Sequence, residues 1–139
     1  MRLAIAVLAD AASVRENMLS VLSAGVNQIV RPDFPAQMGL SLAMMLEVLP
    51  DDEIDAADVE VVVDHVPPLE DEKPVARVRA RLELKGPRDG VWYVPMPLDF
   101  HSRKIPTPGN YEVRVNVTGA DPVVMGFVAH SSEDQGDGD

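Results

Sequence analysis

The sharpest alternation in the chain lies between residues 75 and 85. Ala76, Val78, Ala80, Leu82 and Leu84 fall on one side, and Arg77, Arg79, Arg81 and Glu83 on the other. A period of two predicts a strand with one face on a core and one in water. Val59, Val61 and Val63 alternate with Glu60, Val62 and Asp64 in the same way, and the two runs, adjacent in sequence, predict a hairpin. A second hairpin is expected near the C-terminus. Tyr111, Val113, Val115 and Val117 alternate with Glu112, Arg114 and Asn116, and a turn over Thr118–Pro122 leads into an apolar run over 123–129. Between the hairpins, residues 91–98 read as a proline-bearing strand, which belongs at a sheet edge or bulge.

The first half is less regular. Residues 2–9, rich in Leu, Ile and Val, predict a buried or half-buried strand. Residues 40–49 carry Glu47 as their only charge and predict a central strand or a short helix. Residues 10–25 stay open between two elements. Asp10 is a fitting helix cap, Gly25 a fitting stop, and Val14, Met18, Val21 and Leu22 share a helical face, so local propensity favours a helix. Leu19, Val21 and the run from Val26 to Val30 suit strands equally well. Arg31-Pro32-Asp33-Phe34-Pro35 interrupts any helix, because each proline removes a donor and pushes its predecessor towards extended geometry. Polar or acidic loops are expected over 50–58, 65–74, 86–90 and 99–108.

These elements predict an all-β fold, an antiparallel two-sheet β-sandwich, Ig-like or similar, in a single domain over residues 1–130. One short N-terminal helix remains an alternative over 10–25. Ser131–Asp139 has no apolar residue and four acids. It cannot bury enough surface to offset its ordering, so an exposed disordered tail is expected.

Composition narrows the chemistry. With 139 residues the chain fits one domain that needs no staple. It has no Cys, which removes a disulfide framework, a thiolate zinc site and a Cys nucleophile. The net charge of −11 argues against nucleic acid, whose binding requires clustered Lys and Arg, and against anionic membrane surfaces. No segment is long enough for a membrane-spanning helix. The N-terminal run Leu3–Ala9 is at the bottom of the usual length for a secretory leader and Asp10 falls inside the would-be cleavage site, so export is not expected. The cytoplasm is the expected location.

Several residues combine into a family pattern. Ala9-Asp10, Val14-Arg15-Glu16, Leu19–Leu22, Arg31-Pro32, Phe34-Pro35 and Leu42-Ala43 stand in order, and Pro108-Gly109-x-Tyr111-x-Val113 closes the chain. The arrangement resembles an uncharacterised bacterial family of small β-sandwich proteins, a domain of unknown function, over roughly residues 1–130. It departs from that pattern at Ser23-Ala24, where glycine is usual. The resemblance implies strands across 17–30. It carries no activity.

Candidate sites are few. Asp51, Glu53 and Asp55 have calcium-like spacing, but Ala56 and Val62 stand where a calcium loop needs Gly and Glu, so a solvated loop is expected. The stripe Arg77, Arg79, Arg81 reads as cross-strand pairing with Glu60 and Asp64, or else as a partner site. His65, His101 and His130 show no metal-pair spacing, and there is no nucleophile elbow and no phosphate-binding glycine loop. Metal and cofactor are both read as none. The most polar loop is Asp99-Phe100-His101-Ser102-Arg103-Lys104, and Asp99, His101 and Arg103, with Arg31, are the candidate ligand-binding residues. Trp92 and Tyr93 face opposite sides of an edge strand, with Trp92 expected in the core. The resulting expectation is a non-enzymatic protein-binding or assembly module, contacting a protein partner or its own copy. The alternative is a small-ligand binder or enzyme using the 99–104 loop with Arg31.

Overall fold

The computed structural model describes residues 1–69, 74–85 and 89–132. Its elements are β1 (Arg2–Arg15), β2 (Met18–Ala24), β3 (Gln28–Arg31), β4 (Ala36–Gln37), β5 (Ser41–Val48), β6 (Ala56–Val66), β7 (Ala76–Glu83), β8 (Trp92–Pro95), β9 (Leu98–Asp99), β10 (Lys104–Ile105), β11 (Gly109–Val117) and β12 (Val123–Ser131). The fold is all-β, built on two curled sheets. The first runs β2-β1-β5-β8, with β9 also on β5; the second runs β3-β12-β11-β6-β7; β4 and β10 form a small separate pair.

The helix alternative for residues 10–25 is overturned. β1 continues to Arg15, turns at Glu16-Asn17 and returns antiparallel as β2, with Arg15 opposite Met18 and Ala11 opposite Leu22. Both turn residues take positive φ, 52° and 60°, the geometry that joins two twisted strands through two residues. A tight turn in mid-segment defeats the helical face that Val14 and Met18 suggest. The 40–49 run is a strand, lying between β1 and β8 with Leu42, Met44, Leu46 and Val48 fully buried. The second sheet corrects a purely antiparallel expectation, because β3 pairs parallel with β12. The chain leaves the first sheet after β2 and enters the second through Gly25–Asn27.

Both expected hairpins form. β6 and β7 pair with Glu60 opposite Arg79, and β11 and β12 with Tyr111 opposite Phe127. β8 lies at the edge of its sheet, where its proline costs no ladder bond. One core cluster draws Leu42, Met44 and Leu46 from the first sheet and Val61, Val63, Val113, Val115 and Phe127 from the second. Trp92 packs against that cluster, while Tyr93 is exposed. β12 runs through Ser131, one residue into the expected tail; residues 133–139 lie outside the described residues, as do 70–73 and 86–88 of the two loops flanking β7.

Candidate functional site

Arg31 sits at the end of β3 and folds back over its own crossover. Its guanidinium donates to the carbonyls of Val30 (2.9 Å), Gln37 (3.0 Å) and Met38 (2.8 Å). Gly39 lies directly beneath it: a Cβ there would stand 2.5 Å from Nη2. Arg31 therefore closes the Phe34-Pro35 loop and does not project towards a ligand. The crossover and the 99–104 loop do meet. The Met38 and Gly39 amides donate to the carbonyls of Arg103 (2.7 Å) and His101 (3.1 Å), and β4 pairs with β10.

His101 is engaged on both sides of its ring. Nδ1 faces the Asp99 carboxylate, whose same oxygen takes the His101 amide at 2.8 Å, and Nε2 faces the Asp10 carbonyl at 2.6 Å. Both partners are acceptors, so both ring nitrogens donate when the imidazole carries its proton. Hydrogen bonds to Asp99 and then to the Asp10 carbonyl push the His101 pKa up from 6.5, and the His101 amide and ring hold Asp99 below the usual carboxylate range. The Asp10 carbonyl marks the point where β1 leaves β5, since the β1–β5 ladder ends at Ala9–Ser41. Arg103 and Asp99 are exposed, and Phe100 between them is buried.

The arginine stripe resolves unevenly. Arg79 pairs with Glu60 at 2.7 Å, and Arg81 with Asp58 at 3.3 Å and Glu83 at 3.6 Å. Asp64 bonds Arg114 of β11 instead, at 2.8 Å. Arg77 stands opposite Val62 and forms no salt bridge among the described residues, though its charge helps to hold Glu60 below the usual carboxylate range.

The apolar surface that the sequence reading missed is the β1–β2 hairpin. Even-numbered residues of β1 continue the core-facing side of the first sheet. Beyond Leu8 and the exposed Asp10 they become Ala12 and Val14, which share that face with Val21 and Leu19. Val14 is 44% and Val21 38% exposed, and on the opposite face Met18 and Leu22 reach 60% and 64%. The hairpin thus shows aliphatic side chains on both sides. Helical spacing had masked this, because it places Val14, Met18, Val21 and Leu22 on one buried face.

Among the described residues, no group of three or more His, Asp and Glu is placed to hold a metal ion, and no helix is long and apolar enough to cross a membrane. The molecule is an all-β protein in which Arg31, His101, Arg79 and Arg81 are tied into its own ladders and loops. It belongs to a family of unknown function (DUF6941), whose model matches residues 4–125. No curated protein and no solved structure matches the chain.

Proposed function

We propose that this chain is a non-enzymatic assembly module whose β1–β2 hairpin pairs with the hairpin of a second copy along the free edge of β2. The carrying observation is the hairpin itself, which exposes apolar side chains on both faces at the end of a sheet. A two-stranded hairpin without cover is marginal in water. Edge strands in soluble proteins usually carry charges or proline that prevent further pairing, and β2, Met-Leu-Ser-Val-Leu-Ser-Ala, carries neither.

Charge directs any self-contact to this edge. Two chains of −11 each repel over most of their surface, and residues 17–24 are without charge. An antiparallel β2–β2 contact uses the same strand twice and closes as a twofold dimer. In this reading the two sheets form a sandwich, supported by the core cluster common to both, and the hairpin extends the first sheet across the dimer. The ligand-binding alternative finds little support in the 99–104 loop, since Arg31 and His101 are both occupied by backbone carbonyls.

Sedimentation velocity at micromolar concentration tests the reading. The wild-type chain is expected to sediment as a dimer, and Val21→Lys, which sets like charges near the twofold, as a monomer with an unchanged circular dichroism spectrum. A wild-type chain that stays strictly monomeric would overturn the proposal.

A further inference from the structure

The second sheet has its own open edge. β7 pairs with β6 on one side and with no described strand on the other. Its core-facing residues are incompletely covered: Val78 and Leu82 are half-buried, and Ala80 is exposed. Across from them the chain runs through Pro95, Met96, Pro97 and Leu98. Together the two edges line an apolar slot of about 270 Å³ that includes Val78, Leu82, Met96 and Leu98. Two prolines without amide donors cannot zip this segment onto β7, so the seam between the sheets stays open there.

The backbone phase of β7 is set by one bond. Leu84 N donates to Asp55 O at 2.7 Å, in the register that places Glu83 opposite Ala56. In an antiparallel ladder hydrogen-bonded pairs alternate along the strand. Even-numbered residues therefore turn their N–H and C=O groups to β6, and Arg77, Arg79 and Arg81 turn theirs to the free edge. A strand added to this edge would bond the backbones of the three arginines. Its residues directly opposite them would lie on the outer face beside the guanidinium groups. Its alternate residues would point into the slot.

We infer that the β7 edge binds an extended segment of a partner protein in which acidic and aliphatic residues alternate, adding a sixth strand to the second sheet. The acidic side chains meet the arginine row, and the aliphatic ones fill the slot between Leu82 and Met96. Backbone bonds give such contacts affinity, and alternate side chains give them specificity. Arg77 dominates the charge recognition, because Arg79 and Arg81 are already in salt bridges with Glu60 and Asp58, while Arg77 stands opposite Val62 and acts on Glu60 only at longer range. The inference is independent of the β2 contact, which lies in the other sheet.

The test uses a fluorescent nine-residue peptide alternating Glu and Val, with two controls: the same peptide with Lys for Glu, and one of identical composition with its Glu and Val in separate blocks. Anisotropy should show saturable binding of the alternating peptide alone, weakened by salt. Arg77→Glu should weaken it about fivefold, the size of one cross-strand charge pair. Amide shifts in nuclear magnetic resonance should run along residues 76–83. Equal binding of either control, no saturation below about 1 mM, or shifts confined to the β1–β2 hairpin would overturn the inference.

Discussion

Replacing Gly39 by Ala probes the reassignment of Arg31 from ligand candidate to loop closure. Two costs arise. Gly39 has φ +66°, a left-handed conformation that costs a residue with a Cβ about 1–2 kcal/mol. The new Cβ would also stand 2.5 Å from Arg31 Nη2, so the guanidinium must move off the Met38 carbonyl. That charge-assisted bond contributes about 1.5–3 kcal/mol. The single substitution should therefore destabilise by about 3–4 kcal/mol. Arg31→Ala removes three bonds, two of them at exposed carbonyls that water re-covers, and should cost about 2 kcal/mol. In the double variant the clash is gone and only the backbone cost adds, giving about 3–4 kcal/mol in place of the additive 5–6. The assay is urea unfolding of all four proteins, monitored by Trp92 fluorescence. Additivity within about 0.5 kcal/mol would refute the placement of Arg31 over Gly39. A fully stable Arg31→Ala variant would return Arg31 to the list of residues free to bind something else.

Other outcomes follow from the same geometry. Tyr111 is buried, stacks on Phe127 at 5.2 Å and donates its hydroxyl to the Thr107 carbonyl at 2.6 Å; Tyr111→Phe keeps the ring and should cost about 1–2 kcal/mol in thermal melts. Ser23 holds φ 55°, so Ser23→Gly should stabilise by about 0.5–1 kcal/mol in the same melts. The raised pKa of His101 means its two-sided clamp on Asp99 and Asp10 is complete below 6.5, and as pH rises through the folded-state value the ring keeps one N–H and gives up one of the two bonds. A nuclear magnetic resonance titration should place the His101 midpoint above 6.5, and Asp99→Asn should lower it.

The strands of the second half were legible because each has one wet face. Alternation survives in β7 and β11, whose outward residues are Arg and Glu or Asn, and the hairpins they form lie where the pattern put them. The cross-strand pairing of Arg79 with Glu60 was equally readable, since register follows once a hairpin and its period are known. Asp64 was not, because its partner Arg114 comes from β11, and strand order within a sheet leaves no trace in periodicity. The first half resisted for a different reason. The distal hairpin is aliphatic on one face and mixes Met18 and Leu22 with Ser13, Arg15 and Ser20 on the other, so little contrast between wet and dry sides marks its period, and a 3.6-residue spacing fits Val14, Met18 and Val21 by coincidence. The positive-φ turn at Glu16-Asn17 decides the matter, and Glu is not a residue that announces such a turn.

The family pattern, by contrast, marks positions where this backbone has no latitude. Gly109 takes φ +142°, and a Cβ there would stand 2.6 Å from the His65 ring. Tyr111, two residues on, ties the Thr107 carbonyl back onto the strand, stacks on Phe127 and meets the His65 ring edge-on. The crossover follows the same logic, with Gly39 leaving room for the Arg31 guanidinium. Even the departure fits: Ser23, where the resemblance implies glycine, adopts the left-handed conformation that glycine would hold at lower cost. These are constraints of folding, and they account for why the pattern predicts strands and turns while naming no chemistry. The pattern includes Leu19–Leu22 of the uncharged β2 edge, and it leaves the arginine-lined edge of β7 unmarked. An uncharged edge such as β2 is a hazard unless it is occupied, whereas the arginines of β7 turn away every strand but one of opposite charge, and each proposed contact supplies the occupant that its edge admits.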